Sequence, residues 1–150
     1  YKLTAVENEK GEIIPKIKCS ENVEKITIPH FKKVYRLYNR DNGKAIADYM
    51  TVHDEVVDEN EPLLLFDPYA TWKTKNVCNF EARELLVPVF LNGKKVYQSP
   101  ALKDIQTYCK QQVNTLWDEI KRFDNPQTYY VDLSQKLWDI QQELLRKNRN

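Results

Sequence analysis

The sequence is poor in the residues that build most small catalytic and metal sites. Its 150 residues include three glycines and two histidines. Gly11, Gly43 and Gly93 are isolated from one another, so no glycine-rich loop is present to cradle a phosphate group. His30 and His53 lack a second ligand at close spacing, which argues against a metal site. The sequence therefore predicts no self-sufficient active site in this chain.

Cysteines and long apolar runs are also scarce. The three cysteines, Cys19, Cys78 and Cys109, are odd in number and far apart, with no Cys-x-x-Cys motif. This pattern disfavours both a disulfide framework and a zinc site, and it fits a reducing compartment. No stretch approaches the roughly 18 to 20 apolar residues that span a bilayer, and no apolar signal core opens the chain. We expect a soluble, cytoplasmic protein without a membrane partner.

Charge of either sign is not in excess. The 23 basic and 22 acidic residues leave a formal net charge of +1, so no overall field attracts nucleic acid, and we expect no nucleic-acid partner. With 41% hydrophobic residues, residues 1–150 are enough to form one globular domain. Because the chain starts at Tyr1 inside a strand-like run, residues 1–6, we expect it to be a piece of a longer protein.

Residues 1 to about 98 have the pattern of an antiparallel sheet. Short β-branched and aromatic runs alternate there with turn residues. The clearest hairpin pairs residues 33–38 with residues 44–49 through a glycine-containing loop. A second hairpin is predicted within residues 86–97 around Asn92-Gly93, the strongest short turn signal.

From Ser99 onward the apolar period changes from two to 3.6. Ser99 suits an N-cap and Pro100 the first helical position, so we expect one long helix over residues 100–123. A second helix follows Asp124-Asn125-Pro126, and the pair is predicted to form a helical hairpin over residues 99–147. The fold class is therefore α+β, a strand-rich first part followed by this hairpin. The apolar stripe of the first helix comprises Leu102, Ile105, Cys109, Val113, Leu116, Ile120 and Phe123, and that of the second Leu133, Leu137, Ile140 and Leu144.

Two oppositely charged segments stand out along the chain. The basic segment, residues 16–40, holds seven lysines and arginines against two acidic residues. Its side chains could bind an anionic ligand, although the more ordinary explanation is that such lysines protect exposed strand edges from pairing with other chains. The acidic segment, residues 53–67, holds six carboxylates and no lysine or arginine. It is typical of a solvated loop, with pairing to the basic segment or a partner as the alternative.

Several short runs occur in a characteristic order along almost the whole chain. They are Tyr1-Lys2-Leu3, Lys16-Ile17-Lys18-Cys19-Ser20-Glu21, Lys33-Val34-Tyr35-Arg36-Leu37, Asn79-Phe80-Glu81-Ala82-Arg83-Glu84-Leu85-Leu86-Val87-Pro88, Leu116-Trp117-Asp118-Glu119 and Tyr130-Val131-Asp132-Leu133-Ser134. In order and spacing they resemble the region that follows the catalytic barrel in bacterial nicotinate phosphoribosyltransferases. One departure is His30, where the family usually has glycine after the proline, which weakens the expectation of a tight positive-φ turn there.

The resemblance implies an enzyme that joins nicotinate to 5-phosphoribosyl 1-pyrophosphate in the salvage route to NAD. Its products are nicotinate mononucleotide and pyrophosphate, and the reaction uses ATP, magnesium and a phosphorylated histidine. In the family, that histidine and the phosphate loop lie upstream of the position of Tyr1. The resemblance therefore implies a C-terminal accessory domain with no catalytic residue and no cofactor or metal of its own. Its expected partners are the N-terminal and barrel domains of the same chain, in an enzyme that forms a homodimer.

Two functional hypotheses remain. In the first, this chain is the accessory domain of such a transferase. Because the basic segment follows the barrel closely in the family, Lys16, Lys18, Lys25 and Arg36 are then the candidates for contact with the phosphoribosyl site. In the second, the chain is an autonomous interaction module whose basic segment binds an acidic protein or a nucleotide. The strand-like start of the chain favours the first hypothesis.

Overall fold

The computed structural model describes residues 2–148. Its elements are β1 (Ala5–Glu7), β2 (Ile13–Pro15), β3 (Lys32–Asn39), β4 (Ala45–Val52), β5 (Leu63–Phe66), β6 (Thr74–Val77), β7 (Phe80–Glu84), β8 (Phe90–Leu91), β9 (Lys94–Lys95), α1 (Leu102–Thr115), α2 (Asp118–Lys121), β10 (Val131–Leu133) and α3 (Gln135–Lys147). A 3₁₀ turn, Val23–Lys25, lies between β2 and β3. Strands thus dominate up to β9, and helices dominate after it.

The centre of the molecule is a four-stranded sheet with the order β10-β4-β3-β7. The pairs β3–β4 and β3–β7 are antiparallel, whereas β10 runs parallel to β4. Directly opposed residues share a face, so Tyr35 and Tyr49 lie on the same side as Leu37 and Ala47. The β5–β6 hairpin packs on this face and completes the main core. The buried cluster there comprises Tyr35, Leu37, Ala47, Tyr49, Leu65, Val77 and Phe80.

A second, smaller core lies where α3 meets the sheet. Val52, Leu133 and Leu137 are buried together there, each with no more than 1% of its surface exposed. Ser134 caps α3, because its hydroxyl oxygen accepts a hydrogen bond from the Leu137 amide at 3.2 Å. The same hydroxyl donates to the Glu55 carboxylate at 2.7 Å. These bonds fix the turn between β10 and α3.

The strand predictions are confirmed in their main features, as is the α+β class. The β3–β4 hairpin lies where the sequence predicts it, and Gly43 has a φ of 66° in its loop. The β8–β9 hairpin turns at Asn92-Gly93, with φ values of 49° and 76°. It is shorter than the predicted span of residues 86–97, with two residues in each strand. In the strand-like run at the start of the chain, β1 begins at Ala5, and Tyr1 lies outside the described residues.

The single long helix predicted over residues 100–123 is wrong in its bounds. Ala101, not Ser99, occupies the N-cap position of α1, and no side chain caps it. Leu116 and Trp117 are extended, each with a ψ of 149°, and separate α1 from α2. The predicted helix is therefore two helices with a break between them.

Contacts from β4 and its preceding loop explain this break. The Lys44 ammonium donates to the carbonyl oxygens of Asn114 at 2.9 Å and Leu116 at 3.2 Å, so it satisfies carbonyls at the end of α1. The Trp117 indole nitrogen donates to the Ala45 carbonyl at 3.0 Å. These three tertiary hydrogen bonds fix the extended Leu116-Trp117 segment where periodicity alone predicts a continuous helix.

The predicted helical hairpin also needs a correction at its second helix. Leu133 belongs to β10, which pairs with β4 and separates α2 from α3 in the chain. Leu133 immediately precedes the N-cap Ser134, and an apolar residue at that position keeps the spacing of the helical stripe. Periodicity therefore could not distinguish the end of the strand from the first turn of the helix.

Candidate functional site

Among the candidate residues of the basic segment, Arg36 has the best-defined environment. Its guanidinium forms a two-point ion pair with Asp48, directly opposite on β4, at 2.8 and 3.0 Å. The Tyr129 hydroxyl donates to the same carboxylate at 2.9 Å, and the guanidinium carbon lies 5.7 Å from the centre of the Tyr129 ring. The hydrogen bond to Asp48 raises the pKa of Arg36, and burial raises the pKa of Tyr129. Arg36 thus has a charge partner within this chain, and its contact with a substrate stays a prediction.

Lys16, Lys18 and Lys25 have a different environment, because all three are exposed. Their segment is ordered by its backbone: the Lys16 amide donates to the Thr4 carbonyl at 2.8 Å, and the Thr27 amide donates to the Lys18 carbonyl at 3.2 Å. Within residues 2–148, none of the three ammonium groups forms a salt bridge. Their charge is available to an anionic partner, and that role also stays a prediction.

Several carboxylates of the acidic segment bind other parts of the chain, while Asp54, Asp58 and Glu61 stay exposed, as expected for a solvated loop. Glu59 pairs with Arg40 of the basic segment, which is the alternative that the sequence left open. Asp54 forms a salt bridge with Lys136 on α3 at 2.8 Å, and the hydrogen bond from Lys136 lowers the pKa of the Asp54 carboxyl. Glu55 accepts from the hydroxyl of Ser134.

The backbone at His30 forms a positive-φ turn, although histidine adopts this conformation less readily than the glycine usual in the family. The φ of His30 is 77°. The Lys32 ammonium donates to the carbonyl oxygens of Ile28, Pro29 and His30 at 2.9, 3.2 and 2.7 Å, and burial lowers the pKa of Lys32. The His30 ring stacks on His53 with the ring centres 5.8 Å apart. The surrounding bonds therefore hold a turn that glycine would form more easily.

Helix α1 is joined to the sheet through polar side chains that the sequence analysis did not single out. The Gln112 side-chain oxygen accepts from the Tyr38 hydroxyl at 2.9 Å and from the Arg83 guanidinium at 2.6 Å. Arg83 also donates to the Tyr108 hydroxyl at 3.3 Å, and its guanidinium carbon lies 5.2 Å from the centre of the Tyr38 ring. A glutamine beside an apolar stripe has no distinctive signal, so only the tertiary structure identifies these contacts.

The apolar stripe of α1 is exposed in this chain, although such a stripe normally marks the helix face that packs on a core. Ile105 and Val113 are 48% and 46% exposed, and no residue of α1 is buried. The β8–β9 hairpin is also exposed, with Phe90 at 64%. We call the exposed large apolar side chains of α1, of the β8–β9 hairpin and of the residues that flank this hairpin the apolar set. Its members are Leu86, Val87, Val89, Phe90, Leu91, Val96, Tyr97, Leu102, Ile105, Tyr108 and Val113.

The described residues contain little of what a metal or redox site needs. Cys19, Cys78 and Cys109 are free and exposed. Within residues 2–148, no group of three or more His, Cys, Asp or Glu side chains is placed to hold a metal ion. In that part of the chain no helix has the length and apolar character needed to cross a membrane.

Comparison with known proteins identifies the family. The profile of the nicotinate phosphoribosyltransferase C-terminal domain matches residues 31–141. The chain belongs to this family. The nicotinate phosphoribosyltransferase of Bacillus subtilis (strain 168) is 42% identical over 138 residues, which is 92% of this chain and 28% of that protein. The Caenorhabditis elegans nicotinate phosphoribosyltransferase is 32% identical over 150 residues, 99% of this chain and 26% of that protein.

A solved structure has the same fold. It is the crystal structure of human nicotinic acid phosphoribosyltransferase, which matches this domain with a TM-score of 0.71 at 23% sequence identity. The match covers 79% of this chain and 24% of the human chain. The domain spans about a quarter of the length of the curated relatives it matches. Other domains of the same chain are therefore implied.

Proposed function

We propose that this domain acts within an enzyme that joins nicotinate to 5-phosphoribosyl 1-pyrophosphate. The products are nicotinate mononucleotide and pyrophosphate, the reaction is coupled to ATP hydrolysis, and magnesium stabilises the leaving pyrophosphate. The family profile and the names of the relatives support this assignment. A cytoplasmic location and a homodimeric full enzyme are part of the same proposal.

Within that enzyme the domain is structural and does not supply catalytic groups. The observation that carries this role is the exposed apolar set, because a concentration of large apolar side chains in water is unfavourable until another surface covers it. The polar candidate with the best geometry, Arg36, is already paired with Asp48. Accordingly, the domain docks on the remainder of the transferase and stabilises it.

The alternative of an autonomous module that binds anions through the basic segment has less support. Arg36 pairs with Asp48 and Arg40 with Glu59, so two of its strongest anion-binding side chains have partners within the chain. The Lys32 ammonium is bound by backbone carbonyls. The remaining lysines are scattered donors without a described cavity that gathers them.

The proposal is tested by assaying the full-length enzyme and this chain in parallel with nicotinate, 5-phosphoribosyl 1-pyrophosphate, magnesium and ATP. The full-length enzyme should form nicotinate mononucleotide, and this chain should not exceed background. Turnover by this chain would overturn its structural role, and absence of turnover in the full-length enzyme would overturn the assigned reaction. Lys16→Ala, Lys18→Ala and Lys25→Ala in the full-length enzyme then measure, through KM for 5-phosphoribosyl 1-pyrophosphate, whether any of them contacts that substrate.

A further inference from the structure

Asp132 is a buried carboxyl group on the outer strand of the sheet. It lies on β10 opposite Tyr49 of β4, on the face that the β5–β6 hairpin covers, and it is 5% exposed. Its Oδ1 atom has no hydrogen-bond partner within residues 2–148. An unpaired buried carboxylate is strongly unfavourable, so a group of this kind requires a partner to explain it.

Two donors that follow Asp132 along the chain, Ser134 and Lys136, are bound to other groups. The Ser134 hydroxyl donates to Glu55, and the Ser134 amide donates to the Met50 carbonyl at 2.8 Å. The Lys136 ammonium is paired with Asp54. The nearest lysine along the chain is therefore already paired, and the hydroxyl of the neighbouring Tyr130 is a neutral donor that supplies no counter-charge.

Asp132 lines an open cavity of about 220 Å³ between β4, β10 and the β5–β6 hairpin. A second carboxylate, Asp67, also lines it, and its Oδ1 accepts from the amides of Tyr69 and Ala70 at 2.9 and 3.1 Å. Burial, followed by the charge of Asp67, raises the pKa of Asp132 to about 6. Above that pH, two negative groups face the cavity. The apolar part of its wall consists of Ile46, Ala47, Leu65 and Phe66.

Two lysines of the β5–β6 hairpin reach the same cavity. Lys73 and Lys75 contribute to its wall, but both residues are exposed. Within residues 2–148 neither forms a salt bridge. Their ammonium groups remain accessible to water, so the described residues leave Asp132 without a cationic partner.

We propose that this cavity receives a lysine or arginine side chain from the part of the enzyme that lies outside this chain, and that its cationic end pairs with Asp132. Such a side chain combines an apolar stem, which matches the wall formed by Leu65 and Phe66, with a charged end that complements the carboxylate. The source is the rest of the enzyme because this chain spans about a quarter of its relatives. The inference rests on the proposed function to that extent.

The first test is the thermal stability of the full-length enzyme with Asp132→Asn at pH 8, where the carboxyl is ionised. If the carboxylate is paired, the substitution leaves a buried cation without its counter-charge and lowers Tm by several degrees. If the cavity is empty, it removes an unfavourable buried charge, and Tm stays the same or rises. That second result would overturn the proposal. The control Asp124→Asn alters an exposed carboxylate and should leave Tm unchanged.

The second test separates an external cation from this chain's own lysines. In the full-length enzyme carrying Lys73→Met and Lys75→Met, Asp132→Asn should still lower Tm. If it no longer does so, the cation that pairs with Asp132 is one of these lysines, and the proposal is contradicted. A crystal structure of the full-length enzyme decides the case even where the Asn variant does not fold. We expect a lysine or arginine nitrogen from outside this chain within 3.5 Å of Asp132 Oδ1. Water or a small molecule at that position would overturn the proposed pairing. None of these readouts depends on turnover, so an inactive enzyme would refute the assigned reaction separately.

Discussion

A half-buried ion pair between two strands of the sheet gives Arg36 its structural importance. Arg36 and Asp48 side chains are 21% and 14% exposed, and the Tyr129 hydroxyl completes the group. Exposed ion pairs contribute about 0 to 1 kcal/mol, because water screens them and side-chain entropy opposes them. Partial burial and bidentate geometry reduce both losses here. The group therefore stabilises the β3–β4 pair and orders the chain before β10.

The substitution Tyr129→Phe tests this group. It removes one hydrogen bond to a charged acceptor, which typically contributes roughly 1.5 to 3 kcal/mol, so the free energy of unfolding should fall by about that amount. Urea denaturation measures the loss. Because burial raises the pKa of Tyr129 above its ordinary value near 10, the stabilisation is complete below pH 10 and declines as pH rises further. Tyr69→Phe is the control, since Tyr69 is 61% exposed and should show almost no loss; equal losses would contradict the assignment.

The positive φ of His30 leads to a second residue-level prediction. A left-handed conformation costs a residue with a Cβ about 1 to 2 kcal/mol, and β-branched side chains tolerate it worst. His30→Val should therefore lower the free energy of unfolding, whereas His30→Gly should stay near the wild type, since relief of strain offsets the lost stacking on His53. Thermal unfolding of the two variants measures the difference. Equal melting temperatures would mean that the turn relaxes out of the left-handed region.

The partner of Arg36 could not be predicted from the sequence, although its hairpin could. A regular ladder joining residues 33–38 directly to residues 44–49 places Arg36 opposite Ile46. The observed pairing is offset from that ladder: Tyr38 lies opposite Ala45, one residue further along, and the register shift between Leu37 and Tyr38 adds another residue, so Arg36 lies opposite Asp48. Composition alone marks Arg36 as a basic residue free for an anion, and only the register reveals that its charge is already neutralised.

At the level of elements, the end of α1 depends on residues distant in the chain. Helical periodicity identifies the apolar positions of α1 correctly, but Lys44 and Trp117 determine where the helix stops. Periodicity also cannot tell which surface covers an apolar stripe. In this chain the bonds of Gln112 attach α1 to the sheet, while the stripe beside them stays exposed.

Substitutions in α1 and at Leu116, which follows it, distinguish these contributions. From the stripe alone, Leu116→Ala should destabilise the protein far more than Gln112→Ala. The structure predicts comparable losses, because Leu116 is only half-buried and Gln112 serves both Tyr38 and Arg83. Loss of Gln112 should lower the free energy of unfolding by about 1 to 3 kcal/mol, measured by urea denaturation. Gln111→Ala, at an exposed neighbouring position, is the matched control. A loss for Gln112→Ala no larger than for this control would show that α1 is attached in another way.

At the scale of the whole molecule, the two cores are buried within this domain, whereas the apolar set is exposed. The cores are completed by contacts within the chain, through the β5–β6 hairpin and α3. The apolar set has no such cover, and the domain spans about a quarter of its relatives. The family resemblance in the sequence predicted the family and the need for further domains. It did not predict that these side chains are exposed in this domain, since apolar residues in the sequence look alike whether the cover comes from the same domain or from another.

Phe90 offers the most direct test of this docking surface. It is 64% exposed here, so Phe90→Ala should change the stability of this chain little. If the remainder of the enzyme covers it, the same substitution in the full-length protein creates a cavity at the domain contact. Truncation of a buried phenylalanine costs about 3 to 5 kcal/mol. Lys95→Ala, directly opposite Phe90 in the β8–β9 hairpin, controls for damage to the hairpin itself and should have little effect in either protein. Denaturation of both proteins with both variants measures the four changes. A loss for Phe90→Ala as small in the full-length enzyme as in this chain would mean that the hairpin stays in water and that the domain docks through another surface.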